Sequence, residues 1–265
     1  MEGYKEIKNK IIRIITALLL IALNSSYAKA ENNVGTLNGS LSVNDMGAAI
    51  YSVPLDIFKS ETNFDPQIGL AYNSQQDGYG NAGYGISVTG ISSITRAGKD
   101  LFHDNTVQKV KYEKGDTYML DGQRLILKSG TYGESNATYS VEGNPYITIT
   151  QKYSDSGLNN DSMYFTYTDA TGTTYEYKAR LNCVINGLTR TTAWYISKAT
   201  NKYGDCIDYK YMSNGGILYP QEITYGRDVE RHSVYFVYSP LCNSQKFVFE
   251  GGEEGCFNKR IYRIV

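Results

Sequence analysis

Short runs of alternating apolar and polar residues recur along the chain from residue 31 onward, and no sustained i, i+3, i+4, i+7 apolar spacing of an amphipathic helix accompanies them. The runs are rich in aromatic and β-branched residues, which favour the pleated surface of a strand. Five runs predict strands, at residues 146–150, 164–167, 173–177, 207–211 and 235–238. The pattern predicts an all-β fold of meandering antiparallel hairpins that form a curved sheet.

Clusters of Gly, Asn, Asp and Ser lie between these runs and predict tight turns, because Gly and Asn adopt the positive φ that such turns need. The clusters are residues 155–157, 169–172, 201–204 and 213–216. At 169–172 and again at 201–204, Asp or Asn precedes Gly by three residues, and a Tyr-x-Tyr strand follows. The spacing from Gly to Tyr differs between the two copies, so a repeat architecture and ordinary hairpin chemistry are both open.

The first thirty residues have the order of a secretory signal peptide. A basic start is followed by an apolar run at 14–23 and by the small-residue site Ala28-Lys29-Ala30. The alternative is a membrane-spanning helix, but ten helical residues rise only about 15 Å, roughly half the hydrocarbon thickness. We therefore predict cleavage after residue 30, no stable membrane span, and export to the extracellular space or cell surface, via the periplasm if the source is Gram-negative.

Composition narrows the candidate chemistry. The 26 Lys and Arg residues nearly balance the 27 Asp and Glu residues, which gives no electrostatic reason to expect a nucleic-acid partner. The two histidines, His103 and His232, are too few for a His-rich metal site and lie in segments that predict exposed loops. Tyrosine outnumbers phenylalanine by 25 to 8, which indicates half-buried rings with hydrated hydroxyl groups or, alternatively, a platform for sugar rings.

The four cysteines have no C-x-x-C spacing and are Cys183, Cys206, Cys242 and Cys256. Export makes disulfides possible, whereas a chain of this length does not need them. Both alternatives stay open, and no pairing is predicted.

One motif matches a cofactor-binding pattern but lacks the secondary structure that this pattern needs on either side. Gly78-x-Gly80-x-x-Gly83 fits the dinucleotide-binding fingerprint, which needs a buried strand before it and a helix after it. Polar turn formers precede the run here and a strand-like pattern follows, so we interpret the glycines as a device for close backbone approach. The oxygen-bearing residues 155–161 lack EF-hand spacing and indicate a solvated loop.

The most specific signals lie between residues 39 and 96. In chain order the blocks are Gly39-Ser40-Leu41-Ser42-Val43, Gly47-Ala48-Ala49-Ile50-Tyr51, Val53-Pro54-Leu55, residues 66–74, the glycine run 78–85 and residues 88–96. They resemble the N-terminal region of the Salmonella plasmid virulence protein B family, which is shared with the B components of insecticidal toxin complexes and with Rhs/YD-repeat proteins. Residues 120–125 resemble the next block, and residues 209–218 are similar to a degenerate YD repeat. Ile86 stands where the family pattern usually has Trp, so Tyr84 is expected to supply the aromatic packing.

The order of the first thirty residues predicts the signal peptide at 1–30, and the resemblance implies a toxin-B-like β module at 31–130 and a β-rich Rhs/YD-like region at 131–265. The strand-like end at 260–265 predicts that this region continues in a longer protein. The implied function is that of a structural module that helps to form a β shell around a C-terminal toxin. Its partners would be the downstream repeats and the C-terminal toxin of the same or a partner chain.

The resemblance implies no enzymatic activity, and we expect no catalytic residue, cofactor or metal. The ADP-ribosylation known for the family's namesake belongs to a separate C-terminal domain. A Tyr-rich cell-surface module that binds a glycan or a host protein is the alternative. A secreted glycoside-active enzyme is a third hypothesis, which a close pair of buried acids in a cleft would favour.

Overall fold

The structure is a computed structural model and describes residues 38–44, 46–154, 162–227, 230–240 and 246–265. The predicted signal peptide, the solvated loop predicted at 155–161 and Cys242 lie outside these ranges.

Antiparallel strands dominate the described ranges, together with one short helix, α1. The first four strands form a small sheet in chain order and are β1 (Ser40–Val43), β2 (Ala49–Pro54), β3 (Gly69–Asn73) and β4 (Ile86–Thr89). The chain continues through β5 (Ser93–Ala97), α1 (Leu101–Asp104), β6 (Thr117–Leu120), β7 (Gln123–Ser129), β8 (Thr138–Val141), β9 (Asn144–Tyr153), β10 (Met163–Thr168), β11 (Thr174–Tyr177), β12 (Ala179–Ile185), β13 (Leu188–Tyr195), β14 (Lys198–Thr200), β15 (Cys206–Asn214), β16 (Ile217–Tyr225), β17 (His232–Pro240), β18 (Lys246–Glu250), β19 (Glu253–Phe257) and β20 (Lys259–Ile264).

Fourteen strands form the large sheet, in the order β12-β13-β5-β6-β7-β8-β9-β10-β11-β14-β15-β16-β17-β20. Strands β18 and β19 form a separate hairpin. The large sheet departs from chain order where β13 returns to pair with β5, which places Ala193 opposite Thr95. Strands from both sides of the boundary predicted at residue 130 share this sheet, and the boundary itself stays a prediction.

The predicted all-β fold of antiparallel hairpins is confirmed. Four of the five predicted strands fall within β9, β10, β15 and β17, and the strand predicted at 173–177 matches β11 from Thr174 onward. Register shifts interrupt several pairings, among them β12 with β13, β15 with β16, and β17 with β20. Bulges of this kind bend a strand and increase its twist, which curves a sheet.

Hairpin turns reuse one hydrogen-bond scheme. The side-chain oxygen of Asp169 accepts hydrogen bonds from the N–H groups two and four residues later, at 2.8 and 3.0 Å. Asn201 does the same at 2.9 and 2.9 Å, and Asn44 at 3.1 and 2.8 Å. The glycine three residues later has a positive φ in each turn. Because Asn44 lies in the small sheet, the recurrence seen at 169–172 and 201–204 reflects hairpin chemistry.

The centre of the large sheet is filled by aromatic rings. Trp194 is fully buried and meets the rings of Phe165 and Tyr118 edge to face, with centroid distances of 5.2 and 5.8 Å. The hydroxyl of buried Tyr139 donates to Gln151 Oε1 at 2.8 Å. Several tyrosines are therefore buried more deeply than the sequence predicts, with their hydroxyl groups bonded inside the protein.

One charged side chain lies within this aromatic cluster. The Arg96 guanidinium carbon is 5.5 Å from the ring centroid of Tyr118 and 5.2 Å from that of Trp194. Its Nε donates to the carbonyl of Thr191 at 2.8 Å, and its Nη1 donates to the carboxylate of Asp116 at 3.2 Å. The buried charge of Arg96 is therefore paired with Asp116 and lies between the faces of two aromatic rings.

A second apolar cluster joins the segment before β3 to strands β15 to β17. Ile68 and Ile223 are buried in it, and Phe64 packs against it. The hydroxyl of Tyr225 donates to the carbonyl of Phe58 at 2.7 Å. The connection between β2 and β3 therefore covers part of the large sheet.

Candidate functional site

The glycine run 78–85 is a double bend that leads into β4. The Gly80 N–H donates to the Gly83 carbonyl at 2.7 Å, and the Gly85 N–H donates to the Gly78 carbonyl at 2.9 Å. A Cβ on Gly80 would lie 2.3 Å from the carbonyl oxygen of Ile86. The predicted close backbone approach is therefore confirmed at Gly80. A strand follows the run, so the helix N-terminus that a dinucleotide pyrophosphate requires does not follow it.

The same run touches the edge of the large sheet. The carbonyl of Asn81 accepts a hydrogen bond from the N–H of Ile261 in β20 at 2.7 Å. The Asn81 side chain accepts another from Val88 in β4 at 3.0 Å. Tyr84, expected to provide aromatic packing, meets Tyr79 edge to face with centroids 5.6 Å apart. The run thus connects the small sheet to β20.

The prediction that both histidines lie in exposed loops is wrong. His232 begins β17 and is half-buried, and its ring centroid is 5.5 Å from that of Tyr225 and 6.2 Å from that of Phe58. His103 lies in α1, whose N-cap, Asp100, accepts its N–H.

His103 lies in a network of opposite charges. Its Nδ1 is 2.8 Å from the Asp100 carboxylate and its Nε2 is 2.8 Å from Glu142 Oε1. The hydrogen bonds with Glu142 and then Asp100 raise the pKa of His103 above its ordinary value. Arg124 bonds Asp104 at 2.8 Å and Asp100 at 2.9 Å. Both imidazole nitrogens face carboxylates, so this histidine is not placed to activate a thiol.

Three acids, Glu113, Glu250 and Glu253, line a cleft that the sequence did not single out. The cleft has a volume of about 740 Å³ and lies between β5, residues 109–113 and the end of the β18–β19 hairpin. Glu250 and Glu253 are direct cross-strand partners there. Tyr195 donates its hydroxyl hydrogen to Glu250 at 2.6 Å, and Tyr112 donates to Glu253 at 2.7 Å.

Burial raises the pKa of the Glu250 carboxyl. A carboxyl with a raised pKa is a feature of general acids, but burial in a structural position also produces it, and the hydrogen bond from Tyr195 acts in the opposite direction. A Cβ on Gly251, between Glu250 and Glu253, would lie 2.2 Å from the Thr192 carbonyl oxygen. The tip of the hairpin is therefore pressed against β13, and both carboxylates serve as acceptors that hold it there.

Four tyrosines converge on a second cavity of about 540 Å³ between the segment 63–67 and the large sheet. They are Tyr167, Tyr175, Tyr177 and Tyr209, and Asp65 and Asp121 also line the cavity. In the described chain, this cavity is a concave surface to which the hypothesis that tyrosines stack on sugar rings applies.

The cysteines and potential metal ligands are dispersed. No disulfide joins the three cysteines that the structure describes, Cys183, Cys206 and Cys256. Burial raises the pKa of the Cys183 thiol, which disfavours its reactive thiolate form. Within the described ranges, no three His, Cys, Asp or Glu side chains are grouped so that they could hold a metal ion. No helix in the described part of the chain is long and apolar enough to cross a membrane.

The sequence matches the family model for the Salmonella virulence plasmid 65kDa B protein over residues 43–235. That range includes the small sheet from the end of β1 and the large sheet as far as β17. Among curated proteins, none is similar enough in sequence to count as a match.

Solved structures share the fold at low sequence identity. The N-terminal domain of the effector protein SpvB from Salmonella typhimurium strain LT2 is 16% identical with a TM-score of 0.61, over 80% of this chain and 86% of that one. The crystal structure of TcdB2-TccC3 is 15% identical with a TM-score of 0.66, over 86% of this chain and 14% of that one. The Photorhabdus luminescens Tc holotoxin pore is 15% identical with a TM-score of 0.64, over 86% and 13%. The chain thus spans a small part of the toxin-complex chains and most of the SpvB domain.

Proposed function

The chain belongs to the family of the Salmonella virulence plasmid 65kDa B protein, and from this membership we propose that it is a structural module of an exported, toxin-complex-type protein. In this role its sheet forms part of a wall around a C-terminal toxin, and the chain has no catalytic residue of its own. The wall is completed by downstream repeats of the same or a partner chain.

The observation that carries this proposal is that, in the described chain, no strand pairs with the outer side of β20. Strand β20 pairs with β17 on one side, and in the described chain its other side meets the glycine run at Asn81 rather than another strand. Tyr262 and Val265 in this region are exposed. A strand with unpaired backbone groups is a template for a further strand. The toxin-complex chains with the same fold extend far beyond the part that matches this chain.

The other sites are consistent with a structural role. The acid pair Glu250 and Glu253 binds tyrosine hydroxyls and fixes a hairpin, and the His103 network ties α1 to the turn at Glu142. Each of these polar groups has a partner in the fold.

The test uses the complete protein that carries this sequence, together with its C-terminal polypeptide. Cryo-electron microscopy should show strands added at β20 and an enclosed space. The C-terminal polypeptide should resist a protease in the complete protein, and it should be digested when produced alone.

Two results would contradict the proposal. The first is equal digestion of the C-terminal polypeptide in both samples, because a wall that encloses it must slow the protease. The second is hydrolysis of a glycoside substrate by the protein that is lost in Glu250→Gln and retained in the control Glu254→Gln. That result would assign the acid cleft a reaction.

A further inference from the structure

The tyrosine-lined cavity has the size of a small-molecule site. Its volume of about 540 Å³ lies inside the range of roughly 300–1,000 Å³ that such sites occupy. It lies where the two apolar clusters of the fold meet, since Tyr175 and Tyr209 pack against both. Its walls are therefore set by two packed cores rather than by a single surface loop.

The cavity offers aromatic faces and hydroxyl groups. The rings of Tyr167 and Tyr175 stack with centroids 5.4 Å apart and an angle of 13° between their planes. The hydroxyl of Tyr177 bonds Ser92, and that of Tyr175 donates to Asp169 at 3.1 Å.

Two further hydroxyl groups belong to this wall of the cavity. Tyr167 and Tyr209 line the cavity, and their hydroxyls make no hydrogen bond to the described residues. Burial raises the pKa of Tyr209 well above its ordinary value, so its hydroxyl keeps its proton and stays a donor. Half-buried hydroxyl groups of this kind gain from a polar partner that enters the cavity.

The charges of the cavity determine which polar partner fits. Asp65 and Asp121 line it, and none of the described lining residues is Lys, Arg or His. Asp121 accepts hydrogen bonds from Ser92 at 2.6 Å and from the Ser93 N–H at 2.8 Å. Lys59 lies 3.8 Å from Asp65 and offsets its charge, whereas no ion pair in the described chain neutralises Asp121. Acidic ligands such as sialylated or phosphorylated sugars would meet the charge of Asp121, which disfavours them.

We propose that this cavity binds a neutral hexose unit of a glycan, with its ring against the tyrosine faces and its hydroxyl groups bonded to Tyr209, Tyr167 and Asp121. A quaternary ammonium group would also favour aromatic rings beside carboxylates. It offers no hydrogen bond, however, and would leave both tyrosine hydroxyls without a partner. This site is independent of the structural role proposed above, because it requires neither the edge of β20 nor a C-terminal toxin.

The test titrates the full chain with lactose and with the methyl glycosides of glucose, galactose, mannose and N-acetylglucosamine, by isothermal titration calorimetry and saturation-transfer NMR. Sialyllactose and choline are the comparison ligands. At least one neutral sugar should bind, and its ring C–H protons should receive the strongest saturation.

Tyr209→Phe should weaken this binding about 3- to 10-fold, the effect of one hydrogen bond. Because the Tyr209 hydroxyl makes no bond within the fold, the variant should keep the circular dichroism spectrum of the parent. Asp121→Asn keeps an acceptor for the Ser93 N–H and provides a second variant that should also weaken binding. Tyr146→Phe is the matched control, because Tyr146 is 94% exposed and does not line the cavity.

The proposal is overturned if no neutral sugar binds, or if choline or sialyllactose binds more tightly than the neutral sugars. It is also overturned if sugar binding is the same in the parent, Tyr209→Phe and Asp121→Asn, since the sugar would then occupy another surface.

Discussion

Removal of the Arg96 side chain should destabilise the large sheet strongly. It is 1% exposed and donates hydrogen bonds to the carbonyls of Thr191 and Glu113 and to the carboxylate of Asp116. Arg96→Met keeps an unbranched side chain between the two aromatic rings and removes the charge and all three donors. The variant therefore leaves a buried carboxylate and two carbonyl oxygens without these partners.

The expected loss follows from these contacts. Removing one member of a buried ion pair costs about 3–5 kcal/mol, and each carbonyl left unpaired adds about 1–3 kcal/mol unless water reaches it. Allowing for water, we expect Arg96→Met to lower the free energy of unfolding by about 4 kcal/mol, and the melting temperature by roughly 8–16 °C. Arg96→Lys keeps the charge beside Asp116 but loses the planar guanidinium with its several donors, so we expect the free energy of unfolding to fall by about 1–3 kcal/mol.

Urea unfolding, monitored by the fluorescence of Trp194 and by circular dichroism, measures this loss of stability. Trp194 is the single tryptophan of the chain and contacts Arg96, so it reports on this place. Asp116→Asn completes a double-mutant cycle, in which a coupling of about 1 kcal/mol or more is expected for the pair. The reasoning is refuted if the free energy of unfolding of Arg96→Met lies within 1 kcal/mol of that of the parent. It is also refuted if the losses in Arg96→Met and Asp116→Asn add up to the loss in the double variant.

Three further predictions concern the network, the turns and the glycine run. Two carboxylates raise the pKa of His103 above 6.5, so its stabilising contribution is complete below that pH and is lost as the pH rises through the raised pKa. The urea midpoints of the parent and His103→Gln should therefore converge at alkaline pH, and convergence at acid pH would contradict this. Asp169→Ala should lower the free energy of unfolding by about 1–2 kcal/mol, because the Asp169 carboxylate accepts four hydrogen bonds, two from backbone N–H groups and two from the hydroxyls of Thr171 and Tyr175. Asp169→Asn should cost less, and equal losses in urea unfolding would count against the turn scheme. Gly80→Val should lower the free energy of unfolding by about 2 kcal/mol or more, because the new Cβ meets the Ile86 carbonyl. NAD⁺ should leave the melting temperature of the parent unchanged, and a concentration-dependent rise would instead indicate a nucleotide site.

Strands and turns were predictable because neighbouring residues determine them. The strand at 164–167 and the turn at 169–172 follow from alternation and from an Asp three residues before Gly, and both lie where the sequence places them. His103 was misplaced because α1 is only four residues long, too short for a helical period to show. Its N-cap, Asp100, was the available signal.

The site residues depend on contacts between distant parts of the chain, which a single sequence does not reveal. Arg96 ends the last block of the family resemblance between residues 39 and 96, yet its burial depends on β13 and on the turn at Asp116. Glu250 has no flanking pattern, and its contact with Tyr195 requires the β18–β19 hairpin to dock on the sheet. The family resemblance supplied the architecture, and only the assembled strands bring these groups together.

The return of β13 to β5 has a consequence for how the chain folds during synthesis. When β5 and β6 leave the ribosome they can pair at once, but the other side of β5 must wait for Ala193 to arrive opposite Thr95, about a hundred residues later. At translation rates of roughly 5–20 residues per second, that side of β5 is unpaired for about 5–20 seconds. Hairpins form in microseconds, so the meander from β5 to β11 has ample time to assemble before its first strand is covered. Closure by the β12–β13 hairpin thus follows assembly of the β5–β11 meander, and during that interval the nascent chain exposes the β5 edge to mispairing with other chains.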